Sequence, residues 1–263
     1  PLITGTTVGN HSIVPAAFLS SNFEIKYVMG NLEILPAPLV VRADSFEMQY
    51  GGTIPTLTSK ISGYQYEDNL DSVFADPLVH EILNNNLGNK IGAGSYDILP
   101  SGQVITPSNY TIQYVLGKMD VSKAPLTVMA TDTSRIYGDA NPAFAIAYAG
   151  FMNGDNVLSL TTPAAASTIA DAGSPVDNYS ITVSGAVSGN YTFTYQSGIL
   201  HVEGRPLTVK AEDKYIWQGE NLPLFTSVFT GFVNNDQSLI TNGPQYTLSP
   251  VYTGSAGAYS IMP

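Results

Sequence analysis

Pro125-Leu126-Thr127-Val128-Met129-Ala130 recurs upstream as Pro38-Leu39-Val40-Val41-Arg42-Ala43 and downstream as Pro206-Leu207-Thr208-Val209-Lys210-Ala211. Without a gap, the same offsets superpose Gly51, Gly138 and Gly219, then Pro55, Pro142 and Pro223. They continue through Gly63, Gly150 and Gly231, each followed by an aromatic residue, to Asp68, Asp155 and Asp236. Register held over so many residue types marks an internal repeat. The second half repeats as well. Tyr96-Asp97-Ile98 matches Tyr179-Ser180-Ile181 and Tyr259-Ser260-Ile261, and more loosely His11-Ser12-Ile13. Asn109-Tyr110-Thr111-Ile112-Gln113-Tyr114 matches Asn190-Tyr191-Thr192-Phe193-Thr194-Tyr195 and Asn22-Phe23-Glu24-Ile25-Lys26-Tyr27. The chain therefore reads as the C-terminal part of a repeat (1–36), two complete repeats (38–123 and 125–204) and the N-terminal part of another (206–263). The last part stops where the first begins to overlap it. Two readings follow: the ends are cuts within a longer protein, or another copy completes the terminal half-repeats.

Within each repeat the pattern is period two, the mark of half-buried strands. Tyr191, Phe193 and Tyr195 alternate with Thr, and Leu126, Val128 and Ala130 share one face. About six short strands per repeat are expected. Gln196-Ser197-Gly198 reads as a hairpin turn, with Gly198 at positive φ. Val73, Phe74, Leu78, Val79, Ile82 and Leu83 suggest a helix in the longer first repeat. The fold class is mainly β, a tandem array of small β-sandwich or β-grasp-like domains with at most one short helix each.

Composition narrows the function. The 263 residues include 24 Gly and 17 Pro but no Cys. Disulfides, Cys-ligated metals and thiol nucleophiles are thereby excluded. A net charge of −11 argues against a nucleic-acid partner. No apolar run reaches the roughly 18 residues of a membrane span, so no membrane insertion of this stretch is expected. Repeats of about 80 residues lie near the lower limit for an independent core. Sixteen Tyr and ten Phe must then supply much of the burial.

Ala124-Pro125-Leu126-Thr127-Val128, Tyr137-Gly138-Asp139-Ala140-Asn141-Pro142 and Tyr148-Ala149-Gly150-Phe151-Met152-Asn153-Gly154-Asp155 resemble the MBG-type (YDG/MBG) tandem repeats of bacterial surface adhesins. The resemblance covers the chain and is strongest in 125–204. It departs at Tyr50-Gly51-Gly52-Thr53 and at Trp217-Gln218-Gly219-Glu220. It implies an extracellular, cell-surface setting and a spacer or adhesive role, and it carries no catalytic residues or cofactors.

Few residues compete for a chemical role. Asp68, Asp155 and Asp236 read as N-caps of short helical turns, with calcium binding as the alternative. Asp139 and Asn141 read as turn residues. His11, His80 and His201 fall at unrelated repeat positions, unlike a ligand set. Asn10, Asn109, Asn178 and Asn190 stand in Asn-x-Ser/Thr triplets but read as residues that precede strands. Tyr215 and Trp217 are candidates for contact with a host glycan or surface protein, or for packing between repeats. Repeat 125–204 has no Lys, so a Lys–Asn cross-link cannot be general to the array. No nucleophile elbow, zinc motif or phosphate loop occurs, and no enzyme activity is expected. Pro-containing joints (Pro36-Ala37-Pro38, Lys123-Ala124-Pro125 and Gly204-Arg205-Pro206) restrict backbone freedom. An extended, semi-rigid rod is expected, advancing roughly 30 Å per repeat. Its partners would be neighbouring repeats.

Overall fold

A computed structural model describes residues 2–3, 7–85, 90–106 and 108–263. The chain divides into two compact units. One comprises Pro1–Leu126, Gly150–Thr161 and Ser188–Thr192; the other comprises Thr127–Ala149, Thr162–Val187 and Phe193–Pro263. Strands dominate throughout, in many small sheets.

In the first unit, β1 (Leu2–Ile3), β2 (Gly9–Val14) and β3 (Gly30–Ile34) form an antiparallel sheet in that order. The first complete repeat follows with β4 (Ala37–Ala43), β5 (Phe46–Gln49) and β6 (Ser59–Ser62). It continues with the helix α1 (Leu70–Val73), then β7 (Val79–Ile82), β8 (Gly94–Ser101), β9 (Tyr110–Val115) and β10 (Gly117–Ser122). These make two sheets, β6-β4-β9 and β5-β10-β8-β7. The repeated Pro-Leu-x-Val motif is the central strand of the smaller sheet. It pairs antiparallel with β6 and parallel with β9. Leu39, Val41 and Ala43 alternate inward and are buried, as the two-residue period of a strand requires. Leu39 and Val41 pack with Val73, Phe74 and Tyr110.

The second repeat uses the same plan. Its strands are β11 (Ala124–Ala130), β12 (Thr133–Ile136), β13 (Ile146–Ala149), β14 (Ala165–Thr168), β15 (Asn178–Ser184), β16 (Tyr191–Gln196) and β17 (Gly198–Glu203). They form sheets β13-β11-β16 and β12-β17-β15-β14. Val128, Ile181, Val183, Leu200 and Val202, drawn from both sheets, make one buried core. The arrangement is a two-sheet sandwich. Among the described residues each complete repeat has seven short strands, with β7 and β14 at a sheet edge. Residues 206–263 form two two-stranded sheets, β18 (Thr208–Ala211) with β19 (Ser227–Thr230) and β20 (Thr247–Ser249) with β21 (Ser260–Met262).

Tyrosine hydroxyls tie loops to these sheets at repeat-matched positions. Tyr114 accepts from the Gly102 N–H and donates to its carbonyl, both at 3.1 Å. Tyr27 does the same with Phe18, and Tyr195 with Ala186. Tyr96, Tyr179 and Tyr259 each donate to the carbonyl four residues earlier.

Two local expectations fail. The apolar stretch 73–83 is not a helix: α1 ends at Val73, and Val79–Ile82 is strand β7, paired antiparallel with β8. Its apolar residues served two periods at once, and the partner strand decided between them. Gln196-Ser197-Gly198 is not a hairpin turn either, because β16 and β17 belong to different sheets. Gly198 does not take positive φ. It lacks a side chain because a Cβ there would stand 2.7 Å from the Ala130 carbonyl oxygen. Gly117 faces the Ala43 and Asp44 carbonyls in the same way.

Candidate functional site

The repeated aspartate is the place where consecutive repeats meet. In the first unit, Tyr50 follows β5, is buried, and donates its hydroxyl to Asp155 Oδ2 at 2.9 Å. The same oxygen accepts from the Tyr191 hydroxyl at 2.7 Å. The two phenol rings stand edge to face at 5.5 Å, a favourable arrangement for aromatic pairs. Phe151 meets the Tyr191 ring edge-on from another side. Tyr191 also accepts from the Met152 N–H at 2.9 Å. Burial, with the Asp155 carboxylate adding to it, pushes the Tyr191 phenol up to about 12. Burial raises Tyr50 as well. Gly51, at φ +86°, turns the chain here, and a Cβ on it would run into the Met152 side chain. Asn190 Oδ1 accepts from the Ala93 N–H at 2.9 Å, and Lys90 reaches the Asn153 carbonyl at 2.7 Å.

Within the second unit the same joint recurs one repeat later. Tyr137 donates to Asp236 Oδ2 at 2.6 Å, and Gly138, at φ +88°, lies against Val233. Arg205 donates to the Tyr137 carbonyl and pairs with Asp139. In the first repeat, Tyr110 donates to Asp68 at 2.5 Å, as Tyr191 does to Asp155. Burial, reinforced by Asp68, raises the Tyr110 phenol. Asn109 accepts from the Val8 N–H at 3.4 Å, matching Asn190. Asp155 thus takes one phenol from its own repeat and one from the repeat before, Asp68 shows the first of these bonds and Asp236 the second.

This corrects the expected role of Asp68, Asp155 and Asp236 as N-caps. The caps are the next residues: Asn69 Oδ1 accepts from the Ser72 N–H and Asn156 Oδ1 from the Leu158 N–H. Asp236 is itself the first residue of a 3-10 turn. The carboxylates turn to the phenols because a buried hydroxyl needs a partner, whereas Asn suffices for the exposed amides. Among the described residues, no three His, Asp or Glu side chains gather as a cation site.

The other repeated residues have packing roles. A Cβ on Gly63, Gly150 or Gly231 would strike the carbonyl oxygen of Pro38, Pro125 or Pro206 at 2.5, 2.8 or 2.5 Å. The strand-opening Pro and the distant Gly are thus one contact, made in all three repeats. Gly219 turns at φ +90° with no neighbour near its missing side chain. His11 holds the Thr7 carbonyl, as Tyr96 holds that of Gly92. His80 pairs with Ser59 and His201 with Asn178. Asn141 binds the buried Arg135 through Oδ1 and the Ala170 carbonyl through Nδ2. Tyr215 and Trp217 are 92% and 82% exposed. Their repeat equivalents are Glu47 and Gln49, and Ser134 and Ile136, so no exposed aromatic recurs there.

Sequence reasoning missed Tyr50 and Tyr137. The signal was present: both precede a superposed Gly, and Gln218 stands at that place in the third repeat.

The family model of the MBG domain (YGX type) matches residues 39–120, 126–201 and 207–263, and the chain belongs to this family. No curated protein matches the chain.

Proposed function

We propose that this chain is a stalk segment of a large bacterial cell-surface adhesin-like protein, a spacer that projects a binding region away from the cell. Three consecutive MBG domains are consistent with the repeat region of a surface protein. Among the described residues, no helix is long and apolar enough to cross a membrane. The observation that carries the spacer reading is the recurring joint, Tyr50 on Asp155 and Tyr137 on Asp236. A spacer needs each repeat held by the next, and in a repeat array stability is a sum of repeat terms and neighbour terms. A buried phenol on a carboxylate supplies such a neighbour term. The Pro at each joint removes backbone freedom. No catalytic group and no cofactor enters this reading.

Small-angle scattering tests it. A compact 263-residue body has a radius of gyration of about 18 Å, whereas a rod of roughly 30 Å per repeat gives about 28 Å. A value near the first would overturn the spacer reading. The alternative, that the repeats themselves bind a host glycan or protein, draws support only from exposed Tyr215 and Trp217 in 206–263. Glycan-array binding that is lost in Trp217→Ala would favour it.

A further inference from the structure

In the first complete repeat, the opening and closing segments run side by side in the same direction. β4 lies parallel to β9, with Ala37 facing Tyr110 and Arg42 facing Val115. β5 lies parallel to β10, with Phe46 facing Met119 and Gln49 facing Ser122. The separation in sequence is the same at all of these pairs, although they belong to two different sheets. Residues 37–49 and 110–122 thus form one parallel track that passes from sheet to sheet without losing register.

The crossing itself is held. Ser45, between β4 and β5, accepts from the Lys118 N–H at 3.0 Å through its hydroxyl. Gly117 lets the closing segment pass against the Ala43 and Asp44 carbonyls. Both ends of the track are bonded too: the Ala37 N–H donates to the Asn109 carbonyl at 2.9 Å, and the Tyr50 N–H to the Ser122 carbonyl at 2.8 Å. The second repeat uses the same devices. β12 lies parallel to β17, with Thr133 facing Leu200 and Ile136 facing Glu203. Asp132 Oδ1 accepts from the Ile199 N–H at 2.7 Å, and Asp132 and Ile199 superpose on Ser45 and Lys118. The Ala124 N–H donates to the Asn190 carbonyl at 3.0 Å, and the Tyr137 N–H to the Glu203 carbonyl at 2.8 Å.

Strand direction decides what the track does. The chain enters the first repeat at Ala37 and leaves it at Ser122, at opposite ends of the track. Tension along the chain draws 37–49 toward Ala37 and 110–122 toward Ser122, so the two segments are pulled past each other. The hydrogen bonds, evenly spaced along a parallel pair, are then loaded together. Antiparallel segments would put entry and exit at one end, and their bonds would open one after another.

We propose that each complete repeat is a clamp that bears tension along the chain, with Ser45 and Asp132 carrying the load across the sheet crossing. As a function this deepens the spacer reading and rests on it, since an anchored projection is loaded from its two ends. The clamp itself lies within a repeat and is indifferent to the dimensions of the chain. Scattering can therefore refute the spacer while the clamp stands, and a weak clamp leaves the scattering unchanged.

Single-molecule force spectroscopy of the 263-residue chain, held at its two ends, tests the clamp, because forced unfolding reads the unfolding barrier directly. One high-force event is expected for each complete repeat, releasing about 250 Å of extended chain. The chain has no Cys, so paired cysteines set the points of pull. Pro38→Cys with Ser122→Cys loads the first repeat along the track. Gln49→Cys with Ser122→Cys, at two residues that face each other, peels β10 from its end instead. The peeling force is expected to be several-fold lower. Both pairs contain Ser122→Cys, so the difference between them reports the direction of pull. Asp132→Ala, which removes the acceptor of the Ile199 N–H, lowers one of the two end-to-end events and leaves the other unchanged. Equal forces for the two cysteine pairs overturn the proposal, as do end-to-end events no stronger than peeling. Two events that Asp132→Ala leaves unchanged overturn the role given to the crossing.

Discussion

Tyr50→Phe separates what a repeat does for itself from what it does for its neighbour. The substitution keeps the ring against Tyr191 and removes only the hydroxyl that donates to Asp155 at 2.9 Å. A hydrogen bond to a charged acceptor is worth about 1.5–3 kcal/mol. Asp155 retains Tyr191 at 2.7 Å, so the carboxylate is not orphaned and the loss sits at the low end, about 1.5 kcal/mol. Tyr191→Phe is harsher. It removes the other phenol from Asp155 and also strips the Met152 N–H of its acceptor, in a side chain that is 2% exposed. About 3 kcal/mol is expected from a lost bond plus an unsatisfied buried donor. Hydrogen exchange read by mass spectrometry distinguishes the two. In Tyr50→Phe, amides of 150–161 exchange roughly tenfold faster, while β8 and β10 keep their protection. In Tyr191→Phe the loss extends through β16. If Tyr50→Phe leaves 150–161 unchanged while Tyr191→Phe exposes it, Asp155 serves its own repeat alone and the joint argument fails.

Alkaline unfolding provides a second check. The Tyr191 phenol is raised to about 12 in the folded chain, above its unfolded value of about 10. Its contribution is therefore full below pH about 10 and is lost as pH rises toward 12, amounting to about 3 kcal/mol. Denaturant titrations at stepped pH should show this decline, and Tyr191→Phe should flatten it. Gly198→Ala drives a Cβ into the Ala130 carbonyl and should lower the thermal midpoint by more than 5 °C. Gly185→Ala, at φ +84° with open space around it, should cost only about 1 kcal/mol. Tyr114→Phe leaves both the Gly102 N–H and its carbonyl without their partner, and about 2 kcal/mol is expected by chemical denaturation.

Much of the fold was legible because strands announce themselves by alternation. Leu39, Val41 and Ala43, or Leu200 and Val202, face inward as their spacing requires. Partner choice was not legible. Ser197 joins β16 to β17 as a tight turn would, yet the two strands lie in different sheets, because each finds its hydrogen bonds with strands far away in sequence. Val79–Ile82 fits a helix stripe or a strand face equally well, and only β8 decides. The site was half legible. Asp155 was singled out by its recurrence, but its role was set by groups at separations of 105 and 36 residues, Tyr50 and Tyr191. A local rule such as N-capping sees only the next few residues, and it assigned Asp155 the task that Asn156 performs.

The choice of phenol and carboxylate at the joint follows from what the chain is made of. Only ten cationic residues stand in 263, and the carboxylates of Asp155 and Asp236 take phenols rather than cations as partners. The ion pairs among the described residues are at least partly solvent-exposed on one side, where such pairs contribute little and are screened by salt. A tyrosine offers the reverse combination. Its ring is buried as core, and its hydroxyl satisfies a carboxylate without requiring a second buried charge. The aspartate oxygen that accepts from Tyr191 is also the one that accepts from Tyr50. Closure of repeat 125–204, which brings Tyr191 to Asp155, therefore positions the acceptor for Tyr50 of the repeat before it. The same dependence explains why Tyr50 and Tyr137 each stand one repeat ahead of the Asp they meet: the earlier repeat supplies the donor and the later one the acceptor.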